Sequence, residues 1–183
     1  MTTLGFALLG LLAREPLSGY DLAQQLKKPV GFFWHARHSQ IYPELALLEA
    51  EGLVTHRVID QTDRPDKKLY EITGQGRQVV GDWVTSPLPV PAVRDELVLR
   101  AYCVWLADRG RARAMFEEQA RIHADSLAHY EAIKAWFEAE HHEQIRDITS
   151  PHFAGYAAVM RGVGYEREYT EWCRWVVTML AAE

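Results

Sequence analysis

Ser39-Gln40-Ile41-Tyr42-Pro43-Glu44-Leu45-Ala46-Leu47-Leu48-Glu49-Ala50-Glu51-Gly52-Leu53-Val54 is the stretch on which the reading of this chain turns. Ser39 can cap a helix start with its hydroxyl. Pro43 is expected in or near the first turn, where a missing N–H costs least. Ile41, Leu45 and Leu48 recur at helical spacing and form one apolar stripe. Gly52 can take the left-handed conformation that ends a helix. The opposite face carries Ser39, Pro43, Ala46 and Ala50, all small or compact. A helix bare on its outer side can approach another surface closely, and a DNA major groove admits a helix of that width. Taken alone, the same pattern also fits an ordinary core helix.

The next residues separate those readings. Leu53 to Asp60 and Lys68 to Thr73 roughly alternate apolar and polar, and Gln61-Thr62-Asp63-Arg64-Pro65-Asp66-Lys67 joins them as a polar turn. That is the signature of a β-hairpin. A helix–turn–helix followed by a charged hairpin is a winged helix. Its recognition helix would enter the major groove, and its wing would reach the flanking backbone or minor groove.

Upstream, Thr3 to Arg14 is apolar on most sides and reads as the buried spine of the first domain. Glu15-Pro16-Leu17 breaks it. Ser18 with Asp21 three residues on is a near capping box for a helix running to Lys28, and exposed N–H groups at such a start can bind a phosphate. Pro29 and Gly31 end that helix. Phe32-Phe33-Trp34 then reads as packing between helices, with base stacking as the lesser alternative. Thr73 is expected to cap a helix over 74–84.

Ser86-Pro87-Leu88-Pro89-Val90-Pro91 cannot be helix interior and marks a boundary. The expected organisation is a DNA-binding domain over 1–86, a Pro-rich linker over 87–93 and a helical domain over 94–183. The second part reads as one helix from Arg94 to Asp108, a long helix from Arg111 to about Arg146 free of proline and glycine, and another from His152 to Ala182. Gly155, Gly162 and Gly164 would allow close backbone approach or a bend. Helices of this length with wide apolar stripes suit an antiparallel helical dimer. Leu97, Phe116, Ile122, Tyr165, Tyr169, Trp172, Val176 and Leu180 are its candidate dimerisation residues.

Charge limits the function classes. The chain carries a net −5, which argues against non-specific coating of DNA. Residues 1–86 hold 9 Lys+Arg against 10 Asp+Glu, and residues 87–183 hold 11 against 15, so most of the acidity sits in the second half. His35, Arg37, His38, Arg57, Arg64, Lys67 and Lys68 give the first half local basic groups. Cys103 and Cys173 sit in apolar helical patterns and read as buried thiols. The apolar run Leu4–Ala13 lacks a preceding positive residue and is too short to span a bilayer, so a cytoplasmic protein with no membrane contact is expected. His35-x-x-His38 and His141-His142-Glu143 lack the convergent ligand set of a metal site. Gly74-x-Gly76 lacks the context of a nucleotide loop. No nucleophile arrangement has support. No metal, cofactor or enzymatic activity is expected.

As a set, Leu8-Leu9-Gly10-Leu11-Leu12, Pro16-Leu17-Ser18-Gly19-Tyr20-Asp21-Leu22, Ile41-Tyr42-Pro43-Glu44-Leu45, Leu48-Glu49-Ala50-Glu51-Gly52-Leu53-Val54 and Tyr70-Glu71-Ile72-Thr73 with Gly76-Arg77 resemble the PadR family of bacterial transcriptional regulators. The second half, with Trp172 and Trp175, is similar to the helical dimerisation domain of the longer members. The resemblance implies a mainly α fold, with a winged helix–turn–helix bearing a two-stranded wing and a long-helix dimerisation domain. It implies a homodimeric repressor binding operator DNA. Ser18 and Tyr20 would meet the DNA backbone, Arg37, Ser39, Gln40, Tyr42 and Pro43 the major groove, and Arg64, Lys67 and Lys68 would make the wing contacts. Tyr42 has an alternative role, sealing the helix against its own domain. A protein-interaction module without DNA binding is the competing class. Six tryptophans and eight tyrosines either fill a dimer core or wall a site for a flat ligand. Trp105, Tyr156 and Trp175 are the candidate residues for a small aromatic effector, expected between the two domains.

Overall fold

A computed structural model describes residues 1–26, 38–60, 67–88 and 94–181 of the chain. It divides into two compact units, Met1–Pro89 and Val90–Glu183.

The first unit begins with α1 (Thr3–Leu12), where Thr2 Oγ1 accepts the Gly5 amide at 3.1 Å. Next come β1 (Leu17–Ser18), α2 (Gly19–Gln25), α3 (His38–Ala50), β2 (Val54–Ile59), β3 (Lys67–Ile72) and α4 (Gly74–Val84). Leu8, Leu9, Leu12, Leu22, Ile41, Leu45, Leu48 and Val54 are fully buried in one cluster. Each such side chain contributes roughly 1.5–3 kcal/mol by leaving water. The expected stripe of α3 is therefore the floor of the unit.

One local expectation is corrected, and two features were not anticipated. First, α3 begins at His38, so Ser39 lies within it and Pro43 is its sixth residue, past the first turn. Second, the hairpin is joined by a third strand. The sheet order is β1-β3-β2, all antiparallel, with Leu17 opposite Tyr70 and Ser18 opposite Leu69. Two residues next to a proline show no alternation to read, and only pairing with β3 makes them a strand. Third, the apolar periodicity of α3 gives no sign that Glu44 is buried at 7% exposure. Thr2 Oγ1 donates to its carboxylate at 2.7 Å, tying the start of α1 to α3. Gly52 ends α3 at φ +70°, as its residue type suggests. Thr73 caps α4, its hydroxyl accepting the Gly76 amide at 3.0 Å.

The second unit holds α5 (Glu96–Tyr102), a 3-10 turn (Val104–Leu106), α6 (Arg109–Glu140), a second 3-10 turn (Gln144–Arg146) and α7 (Pro151–Ala181). The expected single helix over 94–108 is interrupted at Cys103, and the long helix stops at Glu140 rather than Arg146. Contacts run in opposite order along α6 and α7. Arg109 reaches the Leu180 carbonyl, His123 pairs with Glu166, and Glu138 accepts from Tyr156. The two helices are thus an antiparallel hairpin.

Phe116, Ala120, Cys173 and Val176 form one core between them, and Leu97, Trp172 and Leu180 pack against it. Tyr130, Phe137, Val159 and Val163 form a second. Close approach is needed at two glycines of α7. A Cβ on Gly155 would lie 2.9 Å from Phe137 Cζ, and one on Gly162 2.5 Å from Tyr130 Cε1. At Gly164 a Cβ would meet nothing, against expectation. Cys173 is buried, and that burial pushes its thiol pKa up, with the Asp95 charge adding to it. Cys103 is exposed where burial was expected, because the helix breaks there.

Candidate nucleic-acid interface

On α3, the residues facing away from the core are Ser39, Gln40, Tyr42, Pro43, Ala46, Leu47 and Ala50. They follow from one helix using its apolar stripe for the core, which turns the remaining arc outward. None of them carries a charge. Pro43 has no N–H to return to the carbonyl of Ser39, four residues back.

Tyr42 combines the two roles considered for it. The side chain is 48% exposed, yet a Cβ on Gly19 would lie 2.6 Å from its Cε1. The ring lies over the start of α2, on space that only glycine leaves open, and keeps an outward edge. Tyr20, the next residue of α2, is exposed.

Ser18 is not available as a contact. It is 3% exposed, and its hydroxyl accepts the Asp21 amide at 3.2 Å while donating to Asp21 Oδ2 at 2.7 Å. The backbone N–H of Ser18 returns to the same carboxylate oxygen at 3.3 Å, closing a capping box. The capping box thus sets a carboxylate charge beside the start of α2. The Ser18 hydrogen bond, first, and Lys67, second, hold the Asp21 carboxyl below its ordinary pKa.

Lys67 begins β3, and its Nζ lies 2.9 Å from Asp21 Oδ2. Lys68 beside it is exposed. Arg57 on β2 pairs with Glu71 on β3 at 3.5 Å. His56 of β2 pairs through Nδ1 with Glu49 of α3, and its ring sits 5.6 Å from that of Tyr70. Tyr70 has its pKa raised, by burial first and then by Glu49 and Tyr42. The hairpin is therefore tied to the helices at both ends by side chains. Periodicity marked none of these ties, since each partner reads separately as a surface residue. Arg37 and Arg64 lie outside the described residues, as do His35 and the Phe32-Phe33-Trp34 cluster.

In the second unit the candidate dimerisation residues separate into two groups. Phe116 and Val176 are buried within the unit, and Leu97, Trp172 and Leu180 pack on the same core. Phe116 and Val176 are spent on holding the hairpin together, whereas Leu97, Trp172 and Leu180 keep part of their surface exposed. Ile122 and Tyr165 are exposed, and Tyr169 is half-buried against His123, ring centroids 4.7 Å apart. A run of exposed apolar residues was mostly missed: Val98, Leu99, Tyr102, Trp105 and Leu106 along α5 and the turn after it. Val98, Leu99 and Tyr102 lie within α5, and Trp105 and Leu106 in the 3-10 turn that follows the break at Cys103.

Of the candidate effector residues, Trp105 and Trp175 are exposed, and the Tyr156 phenol donates to Glu138 Oε1 at 2.7 Å. An open groove of about 480 Å³ between α6 and α7 is lined by other residues, among them Ala120, Arg121, Arg174 and Val177. Among the described residues no group of three or more His, Cys, Asp or Glu side chains could hold a metal ion, and no helix is long and apolar enough to cross a membrane.

A helical unit whose third helix bares a compact edge beside a β-hairpin, joined to a long-helix unit, defines a winged-helix regulator of transcription. The comparisons make the assignment specific. Residues 8–82 match the transcriptional regulator PadR-like family, and residues 93–181 match the C-terminal domain of the virulence activator alpha family. The negative transcriptional regulator PadR of Bacillus subtilis is 35% identical over 98% of both chains. Its crystal structure in complex with operator DNA superposes with a TM-score of 0.85 at 33% identity, covering 98% of this chain and 99% of that one. Its complex with p-coumaric acid gives 0.81 at 32% identity, covering 99% and 100%. The chain belongs to the PadR-like family of transcriptional regulators.

Proposed function

We propose that this protein is a homodimeric repressor that binds a specific operator, acts in the cytoplasm by binding rather than catalysis, and is released by a small aromatic acid. The observation that carries the reading is the outward edge Ser39, Gln40, Tyr42 and Pro43 on a helix whose other side is the core of its unit. A rigid helix presenting a short polar edge is suited to reading base edges, with Lys68 and Tyr20 at the backbone. Two copies would read half-sites about one helical turn, roughly 10 base pairs, apart or a multiple of that.

Fluorescence anisotropy against DNA from upstream of the protein's own coding region is the direct measurement, repeated on unrelated DNA and across salt. Gln40→Ala is expected to cost about 1–3 kcal/mol of discrimination at one base position while leaving the salt slope unchanged. Equal affinity for unrelated DNA at every salt concentration would overturn regulation through sequence recognition.

The effector reading is supported by the p-coumaric acid complex of the Bacillus relative and by the exposure of Trp105 and Trp175 in the helical unit. Titration with p-coumaric acid and related phenolic acids is expected to change tryptophan fluorescence and to release the operator over the same concentration range. Release requires different affinities for the DNA-binding and released shapes, because equal affinity shifts nothing. A fluorescence change with the operator still bound would separate ligand binding from the switch and refute release.

A further inference from the structure

Lys67 stands where a wing lysine would be expected to touch a phosphate, but its ammonium is already engaged. One oxygen, Asp21 Oδ2, receives the Lys67 ammonium at 2.9 Å, the Ser18 hydroxyl at 2.7 Å and the Ser18 amide at 3.3 Å. Ser18 closes β1, Asp21 lies in the first turn of α2, and Lys67 opens β3. One carboxylate therefore joins the short strand, the second helix and the hairpin at the end nearest its connecting loop. Both partners of the ion pair are about a third exposed, at 37% and 35%. A pair so exposed adds little to stability. What it can do is fix where the loop end of the hairpin stands relative to α2, and so relative to Tyr42, whose ring rests on Gly19 at the start of the same helix.

We propose that Asp21 and Lys67 are a positioning pair for the DNA interface: Asp21 holds Lys67 and with it the loop end of the wing hairpin, and Lys67 is not a phosphate contact. The pair rests on the operator-binding reading above and assigns within it a role to an acidic residue, which simple electrostatics would count as a hindrance. A carboxylate near DNA repels phosphate, so neutralising it should tighten binding if charge were all that mattered. A positioning role has the opposite sign.

The test uses the full-length protein and its operator, with affinity measured across a salt series and thermal stability measured on every variant. Asp21→Asn keeps the shape of the side chain and its ability to accept from Ser18, and is expected to weaken operator binding about 10-fold. Lys67→Met is expected to weaken it by a similar factor with the slope of log K against log salt unchanged, and Lys67→Arg to recover most of the loss. The double variant is expected to be no worse than either single one, because both remove the same tie. Lys68→Met supplies the contrast, a slope shallower by about 0.9 as for one lost phosphate contact. Tighter binding by Asp21→Asn, or a slope shallower by that amount in Lys67→Met, would make Lys67 a phosphate contact and overturn the proposal. So would an affinity loss that follows a large fall in thermal stability. Failure of the operator reading itself looks different, since the unaltered protein would then show no preference for its operator.

Discussion

Charging the apolar surface after α5, with Trp105→Glu and Leu106→Glu together, is expected to leave the protein folded but monomeric, and to weaken operator binding by about 10²- to 10⁴-fold. Tyr102, Trp105 and Leu106 are 80%, 77% and 69% exposed in the single chain, and Val98 and Leu99 extend the same stretch. A large contiguous apolar surface on a soluble domain marks an interaction site. Neither substituted side chain belongs to the cores around Phe116 and Tyr130. The single chain therefore does not need them for folding. A carboxylate forced into an apolar interface without a partner, by contrast, strongly opposes association. Two linked readers on one operator benefit from effective concentration, and a monomer loses that benefit entirely, which sets the size of the effect. Light scattering with size exclusion gives the mass, and circular dichroism checks the helices. A double variant that remained dimeric and bound its operator normally would put the dimer contact elsewhere on the helical unit.

The largest stability effect is expected at the junction of α4 and the wing. Gly76→Ala is predicted to destabilise the protein by about 3 kcal/mol, at the upper end for forced overpacking, and to lower Tm by roughly 10 °C. A Cβ there would lie 2.2 Å from the Leu53 carbonyl oxygen and 2.8 Å from Ile72 Cγ1. That oxygen cannot simply move aside, because it accepts the Thr73 amide at 3.0 Å and the Thr73 hydroxyl at 3.1 Å. The first turn of α4 is thus seated directly on the backbone where α3 hands over to β2. Displacing it would also disturb the recognition edge of α3. Gly81→Ala on the same helix is the control. A Cβ there meets nothing within 4 Å, so that change should stabilise by about 0.4–1 kcal/mol through lower entropy of the unfolded chain. Calorimetry on the pair decides it: equal effects at the two positions would show that helix propensity, not the close contact, governs α4.

The apolar spacing of Ile41, Leu45 and Leu48 and the alternation either side of 61–66 determined the recognition helix, its buried face and the hairpin. Hydrophobic period is a local property, and burial of one face follows from it directly. Ser18 with Asp21 and Thr73 with Gly76 likewise carried their caps in adjacent residues, within reach of a sequence reading. The outward edge of α3 followed by subtraction, which is why Ser39, Gln40, Tyr42 and Pro43 could be named before the fold was seen. The two long helices were legible too, from composition and from the lack of proline and glycine in the first.

Only the tertiary structure decided which of those residues are free to act. Lys67 reads in sequence as a solvated wing lysine, and only the fold brings Asp21 to within 2.9 Å of its ammonium. Phe116 and Val176 looked like dimer residues, and the fold of α6 on α7 turned them inward, while Trp105 and Leu106 stand outside both cores. Glu44 reads as a surface acid and is buried against Thr2, a partner 42 positions away in the chain. In each case the deciding contact joins residues that folding brings together from different elements or sets the end of a helix. A periodic pattern reports which side of a helix avoids water, but not whether the surface that covers it belongs to the same chain or to another.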